Sequence, residues 1–262
     1  MNPFRSALWA ETLKMRRSKV PLFTALGFSF APLVGGLFMI ILKDPEAARS
    51  MGLIIAKAQL LAGVADWITF FGVLAQAVAV GGAIVFAIVT AWVFGREFTD
   101  RTVKNLLALP TSRSSTVAAK FAVIALWTLI LTAWIFVLGL MIGNLVVIPG
   151  WSEQLLYSAS LDVFGTALLT IALLPFVAFF AGVGHGELPA LGWAILTVAL
   201  AQVAAITGWG DWFPWSVPAL FSGAAGPRVD LLGVHSYMIV IAASLLGLLA
   251  TFYWWRNADQ TR

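Results

Sequence analysis

The sequence predicts an all-α, polytopic membrane protein with six transmembrane helices. Its 262 residues are 61% hydrophobic and only 11% charged, whereas about a quarter of a soluble domain is charged. Runs without charge occur six times, each near or above the roughly 20 residues that cross the hydrocarbon core. They lack the alternation of barrel strands, so each is predicted to be a helix that satisfies its own backbone hydrogen bonds. A soluble enzyme and a disordered chain are thereby excluded.

The predicted spans follow one another in a single transmembrane domain. They comprise residues 21–42, 68–95, 121–148, 163–184, 188–207 and 236–255. Of the 16 Lys and Arg residues, 12 lie in the N-terminal segment, the loop after the second span and the C-terminus. Because positive residues favour the cytoplasmic side, both termini are predicted to be cytoplasmic.

The basic N-terminal segment, residues 1–20, is predicted to form an interfacial helix before the first span. Its apolar face would consist of Phe4, Leu8 and Met15. Lys14, Arg16 and Arg17 could reach anionic headgroups. Trp9 and Leu13 lie off the apolar face, so a basic flank that only enforces the topology stays open as the alternative.

The loop after the second span, residues 97–113, combines many charges with a short apolar face. Val103, Leu106 and Leu107 recur at the spacing of one helix face. Pro110 would stop this helix. A soluble partner could supply a groove for the face and complementary charges for its rim. Alternatively, the face dips into the lipid interface or packs beneath the helices.

Two strings in the sequence resemble ABC-2-type permeases, the membrane subunits of many bacterial ABC exporters. The first is Glu97-x-x-x-x-Thr102-x-Lys104-Asn105-Leu106-Leu107-x-x-Pro110-x-Ser112-Arg113, followed by Lys120. It is similar to the family's loop between the second and third spans. The second is Trp209-Gly210-Asp211-Trp212-Phe213-Pro214-Trp215-Ser216-Val217-Pro218. It is similar to the subgroup associated with peptide-antibiotic and drug efflux.

The resemblance implies a permease that dimerises, with itself or a related subunit, and docks separate ATPase subunits. The loop would then be a coupling helix seated in a cleft of the ATPase. Its docking residues would be Glu97, Thr102, Val103, Lys104, Asn105, Leu106, Leu107, Pro110, Ser112 and Arg113. The anchors among them would be Val103, Leu106 and Leu107, while Glu97 and Arg113 would be rim or bracing charges. The turn at His185 and Glu187 would be a minor second contact.

Residues 208–234 form the predicted outer segment, which the resemblance implies is partly re-entrant and able to gate the exit. The gate residues would be Trp209, Trp212, Phe213, Pro214 and Trp215. The prolines prevent one long regular helix, and tryptophan suits the headgroup layer. A Trp-rich surface loop without a gating role is the alternative.

Few polar residues interrupt the spans. Hydrogen bonds between helices are the simpler explanation of Gln76 and Gln202, and the alternative is that these two residues line a substrate path. No Asp, Glu, Lys, Arg or His lies at mid-depth in the predicted spans, which argues against an ion-coupled secondary carrier. The same absence argues against an intramembrane enzyme.

The expected function is therefore a multi-pass permease subunit of an exporter in the bacterial inner membrane. The sequence has no G-x-x-x-x-G-K-[ST] loop, so ATP and Mg would be bound by the partner ATPase and this chain would need no cofactor. The other expected partners are a second permease subunit and membrane lipid, with no nucleic acid. The cargo would be a hydrophobic or amphipathic peptide antibiotic, drug or lipid, which connects the protein to antibiotic resistance or immunity. The alternatives are a membrane sensor or scaffold that docks a soluble protein, and a secondary carrier.

Overall fold

The computed structural model describes residues 3–44, 64–103, 111–224 and 232–257. In these ranges the chain is helical and contains no β-strand, and six helices are long and apolar enough to cross a membrane. They are α2 (Val20–Lys43), α3 (Trp67–Thr99), α4 (Arg113–Leu145), α5 (Glu153–Val183), α6 (Glu187–Thr207) and α8 (Val234–Asn257). Two further helices are α1 (Pro3–Arg17) and the short α7 (Val217–Phe221). The predicted all-α, polytopic fold class is confirmed.

Several of the long helices begin at a polar side chain that binds a free backbone N–H. Asp66, Ser112 and Ser152 precede α3, α4 and α5, and each accepts a hydrogen bond from the N–H three residues later. Such caps satisfy donors that have no partner inside the helix. Because these caps fix the helix starts, α4 and α5 begin well before the apolar runs 121–148 and 163–184.

Helix α5 lies at the centre of the bundle and packs against α3, α4, α6, α7 and α8. Its inward face contains Thr166, Thr170, Val177 and Ala178, all buried. Small and β-branched residues on this face let the neighbouring helices approach closely. A fully lipid-facing helix would not need such a face, so the burial identifies α5 as the core of the fold.

Helix α3 contains one wider turn, a π-helical segment at Val78–Gly82. Such turns insert an extra residue into an α-helix and often lie near functional sites. Ala79, Val80 and Ala83 from this part of α3 line a small, partly open cavity. The turn therefore borders the space between α3, α5 and α6.

The bundle has two distinct ends. At the end that carries α1, which we call the α1 end, lie the end of α3, the start of α4, the turn between α5 and α6, and the end of α8. At the opposite end, which we call the α7 end, the Trp67 N–H donates to the carbonyl of Pro149 over 3.2 Å. Lys43 there donates to the carbonyls of Val146 and Val147. Both ends of the described chain thus lie at the α1 end.

The closest approach of α3 to α6 predicts a sensitive glycine. A Cβ atom on Gly95 would lie 2.8 Å from the backbone nitrogen of Glu187 and 2.8 Å from the backbone carbonyl carbon of Gly186. Backbone atoms cannot rotate aside, so Gly95→Ala should push the helices apart and lower the free energy of unfolding by about 1–3 kcal/mol. Thermal unfolding in one detergent measures the loss.

Gly192→Ala is the matched control for Gly95→Ala. Gly192 is also helical, but a Cβ there would meet nothing within 4 Å. Alanine has the better helix propensity, so this variant should unfold at the wild-type temperature or slightly above it. Equal stability of the two alanine variants would contradict the close approach of α3 to α6.

Candidate functional site

The candidate docking loop leaves the bundle through a well-defined helix end. At the end of α3, Arg101 adopts the left-handed conformation with φ of 56°. The Thr102 N–H donates to the Glu97 carbonyl over 2.8 Å, and the Arg101 N–H donates to the Phe98 carbonyl over 3.1 Å. This pair of bonds is the Schellman motif, which ends a helix and redirects the chain. Val103 follows and is buried.

The predicted docking residues Lys104, Asn105, Leu106, Leu107 and Pro110 lie outside the described residues. The structure therefore leaves the coupling helix itself as a prediction. It describes both flanks of the loop, which include Glu97, Thr102, Val103, Ser112 and Arg113.

The returning flank of the loop is fastened to the C-terminal end of α8. Ser112 caps α4 by accepting from the Ser115 N–H over 3.1 Å. The Arg113 guanidinium donates to the carbonyl of Arg256 over 3.1 Å. A cation at a helix C-terminus satisfies carbonyls that have no helical partner and interacts favourably with the helix dipole. Arg113 thus braces α4 against α8, one of its two expected roles.

A buried charge cluster joins α1 to both flanks of the loop; we define it as Glu11, Lys14, Glu97 and Lys120. The Lys120 ammonium lies 2.7 Å from the Glu97 carboxylate and 3.2 Å from that of Glu11. The Lys14 ammonium lies 2.8 Å from Glu97 and 2.6 Å from Glu11. The cluster therefore contains two positive and two negative groups, each in contact with both groups of the opposite sign.

Three of the four members, Glu11, Glu97 and Lys120, are almost fully withdrawn from solvent, and Lys14 is partly exposed. Lys120 is 0% exposed and Glu97 is 3% exposed. Lys120 also donates to the Val93 carbonyl over 2.8 Å. Burying charges is unfavourable unless each is paired and hydrogen-bonded. The mutual pairing meets this condition, and the burial means that Glu97 braces the bundle and does not form an exposed rim.

The neighbouring charges also set the protonation of Lys14, the most exposed member of the cluster. Burial alone would lower the pKa of the Lys14 ammonium, but the carboxylates of Glu97 and Glu11 outweigh it and raise the pKa above its ordinary value. Lys14 therefore remains charged at neutral pH. It holds α1 against the end of α3 as a cation.

Glu11 and Lys14 are two members of this site that were not predicted from the sequence. They lie three residues apart on α1 and thus on one helix face. Glu11 lies between Leu8 and Met15 on the face predicted to be apolar, and this carboxylate among apolar residues is the available signal. Its partners Glu97 and Lys120 belong to distant segments, so local spacing could not reveal the pairing.

Aromatic rings pack around the same end of α3. The Phe98 ring lies 5.2 Å from the His185 ring and 5.8 Å from the Trp254 ring, measured between centroids. His185 belongs to the turn between α5 and α6, which also contacts Gly95 through Glu187. The start of the loop thus contacts that turn and α8 directly.

The outer segment turns back into the bundle at the α7 end. Two single-turn helices, Gly210–Trp212 and Pro214–Ser216, lead into α7. Val217, Pro218 and Leu220 are buried, and α7 contacts α5 and the π-helical turn of α3. The hydroxyl of Ser216 donates to the Ala201 carbonyl over 3.0 Å. The segment therefore folds back onto α3, α5 and α6 in the described residues, and its re-entrance into the membrane stays a prediction.

The five predicted gate residues do not form one cluster. Trp209 and Trp212 are exposed, whereas Trp215 packs against Phe176 and Trp193 at 5.5 and 5.6 Å between ring centroids. Phe213 contacts Trp215, and Pro214 begins the single turn that carries it. The segment thus has an outward aromatic part and an inward one.

A contact between a histidine and a carboxylate, not predicted from the sequence, holds the outward aromatic part of the outer segment. The Nε2 atom of His235 lies 3.0 Å from the Asp211 carboxylate, and the Trp212 ring packs against the His235 ring at 4.6 Å. Asp211 belongs to the outer segment and His235 to α8. This pair ties the segment to the start of the last helix.

The two predicted pathway residues lie in different places. Gln202 lines a small, partly open cavity of about 40 Å³ together with Thr170, Thr197 and Trp215. Gln76 lines a separate apolar groove between α2 and α3. The structure of one chain therefore does not bring Gln76 and Gln202 into a common path.

Comparisons with known proteins give a consistent result. The family model described as ABC-2 family transporter protein matches residues 7–201, from α1 into α6. The bacitracin transport permease protein BCRB of Bacillus licheniformis is 28% identical over 180 residues, which cover 68% of this chain and 85% of that protein. No solved structure gives a significant match.

Proposed function

The chain belongs to the ABC-2 family of transporter proteins and is a membrane permease subunit of an ABC exporter, and we propose that a separate ATPase drives it to export a peptide antibiotic. The observation that carries the coupling proposal is the buried charge cluster. It fastens both flanks of the loop 97–113 to α1, so a push on the loop is passed to three helices at once. The similarity to a bacitracin permease supports a peptide cargo.

The proposed mechanism begins at the loop. The apolar side chains of Leu106 and Leu107 sit in a cleft of the ATPase, which binds ATP and Mg. Val103, the third predicted anchor, is buried within the chain itself and positions the start of the coupling helix. Closure of the ATPase dimer moves the loop, and the charge cluster makes α1, α3 and α4 follow as one unit. Packed helices transmit such a shift because their contacts have discrete arrangements and do not deform continuously.

The second half of the proposed mechanism concerns the exit. The permease pairs with a second permease subunit, identical or related, and cargo moves between them. The re-entrant segment contacts α5, α6 and α8, so a rocking of these helices changes its position and opens the path. In this arrangement the α1 end and both termini face the cytoplasm of a bacterial cell, in agreement with the distribution of Lys and Arg.

Reconstitution with the partner tests the proposed function. The chain is purified with a candidate ATPase encoded beside its gene and reconstituted into liposomes in the inside-out orientation, with its cytoplasmic side facing outward. Labelled bacitracin is added to the solution outside. We expect ATP-dependent accumulation of the peptide inside, and ATP turnover that rises with peptide because coupling between two sites is reciprocal. An ATPase that cannot hydrolyse ATP is the control.

The alternative function, a sensor or scaffold, predicts a different result. A stable complex whose ATP turnover responds to bacitracin, with no peptide moved, would favour the sensor. An ATP turnover rate that changes neither with the permease nor with the peptide would contradict any coupling between the ATPase and this chain.

A further inference from the structure

A groove at the α1 end has the size and chemistry of a ligand site. It lies between α1, the last turns of α3 and the start of α6, and its volume is about 660 Å³. Its polar and aromatic lining includes Trp9, Lys14, Arg17, Trp92, Arg96 and Glu187. The groove opens to the surrounding medium at the level where the helices end.

Charges of both signs face the groove from different walls. Arg17 lies on α1 and Glu187 on α6, and within the described part of the chain neither has an ion-pair partner. The other two cations are already paired, Lys14 inside the charge cluster and Arg96 with Asp100 at 3.1 Å. A ligand with one positive and one negative group would complement the two unpaired side chains.

Two tryptophans place this groove at the headgroup layer of a membrane. Trp9 is 69% exposed, and the Arg96 guanidinium lies 5.0 Å above the Trp92 ring. Tryptophan is enriched where lipid headgroups meet water, and its face attracts ammonium groups. The location of Trp9, off the apolar face of α1, is thereby explained.

An apolar ridge leads from the groove toward the middle of the membrane. Ile84 and Ile88 are exposed on α3, and they precede Trp92 and Arg96 at intervals of four residues. Residues at this spacing are neighbours on one helix surface. The occupant should therefore have a polar head and apolar tails, which a segment of a soluble protein does not offer at that depth.

We propose that the groove binds a phospholipid whose zwitterionic headgroup carries a primary ammonium group. The carboxylate of Glu187 accepts hydrogen bonds from the ammonium, and Arg17 donates to the phosphate. The acyl chains lie along Ile84 and Ile88. The site needs neither ATP nor cargo, and its occupant would fasten α1 to the start of α6.

Native mass spectrometry of the purified, delipidated chain in detergent tests this site. The protein is mixed with equal amounts of dioleoyl phosphatidylethanolamine, phosphatidylcholine and phosphatidylglycerol. We expect phosphatidylethanolamine to be retained up to about five-fold over each of the others, the upper end for one partly exposed ion pair. Phosphatidylcholine lacks the N–H donors, and phosphatidylglycerol lacks the cation.

Single variants assign the two contacts. Glu187→Gln should remove the preference for phosphatidylethanolamine over phosphatidylglycerol, whereas Arg17→Gln should weaken retention of all three lipids. Lys19→Gln is the matched control, because Lys19 is exposed and does not line the groove. Arg17 is exposed as well, so its variant is expected to fold.

Three results would overturn the proposal. Equal retention of the three lipids by the wild-type chain would show that the groove does not distinguish between their headgroups. A preference for phosphatidylglycerol that depends on Arg17 alone would identify a site for anionic lipid. If Glu187→Gln and Arg17→Gln both failed to co-purify with the ATPase but retained lipid as the wild type does, the groove would be a binding site for the ATPase.

Discussion

Replacing Lys120 with methionine is expected to lower the free energy of unfolding by about 3–5 kcal/mol, the range for breaking a buried ion pair by removing one partner. Methionine keeps most of the volume of the lysine side chain but supplies no charge. Glu11 and Glu97 would then share Lys14 as their only cation in the cluster. One buried negative charge would remain uncompensated, and the Val93 carbonyl would lose its bond from Lys120.

Unfolding of the purified variant in a single detergent, by heat or by denaturant, measures this effect. Lys19→Met makes the same chemical change at an exposed position and should leave stability within about 0.5 kcal/mol of the wild type. If Lys120→Met matched Lys19→Met, the buried cluster could not be what holds α1 to α3 and α4.

A double variant separates charge balance from packing. Lys120→Met combined with Glu97→Gln removes one charge of each sign and leaves the contact between Lys14 and Glu11, 2.6 Å apart. The double variant should therefore lose less stability than the sum of the two single variants, with a coupling energy of about 0.5–3 kcal/mol. Strict additivity would mean that the two side chains act independently.

The fold class was predictable because membrane insertion is a local property of the sequence. Each span is a continuous apolar run, and lipid requires such a run to be helical. The prolines and tryptophans of the outer segment likewise predicted a broken element, and α7 is short and buried against its neighbours. The helix starts were harder to place, because caps such as Ser152 lie outside the apolar run that hydropathy detects.

The charge cluster could not be predicted for the opposite reason. Glu97 is 83 residues from Lys14 and 23 from Lys120, so its partners depend on how three helices pack. An acidic residue beside a charged loop has the same local pattern whether it faces solvent or a buried lysine. The packing decided between the two roles that the sequence left open for Glu97, rim and brace.

The histidines illustrate the same limit. His185 and Glu187 are close in the sequence, and in the structure the His185 ring packs against aromatic rings of α3 and α8. The histidine that contacts a carboxylate is His235, whose partner Asp211 lies 24 residues away. Proximity along the chain is a poor guide to polar contacts when helices turn back at both ends of a membrane.

The double variant Leu106→Asp with Leu107→Asp should abolish association with the ATPase. Both residues are predicted anchors on the apolar face of the coupling helix, and an unpaired carboxylate in an apolar cleft carries a large desolvation penalty. Two central anchors at about 2 kcal/mol each correspond to a loss of affinity of about a thousandfold. Co-purification of the ATPase with the tagged permease measures the loss.

The matched controls are the single variants Leu107→Asp and Ala108→Asp. They add the same charge at adjacent positions, but the helical spacing places Ala108 away from the face shared by Val103, Leu106 and Leu107. Leu107→Asp should therefore weaken the complex, while Ala108→Asp should leave it close to wild type. Equal losses would point to a general effect of negative charge on the loop.

Insertion and folding should survive the double change, for a reason visible in the structure. The loop is held at both flanks by contacts that do not involve its apolar face: the Schellman turn at Arg101 and the bond from Arg113 to the end of α8. The permease should therefore purify in wild-type amounts with an unchanged unfolding temperature. If the double variant purifies normally and still retains the ATPase as the wild type does, the assignment of Leu106 and Leu107 as docking anchors is wrong. The ATPase must then bind another part of the α1 end.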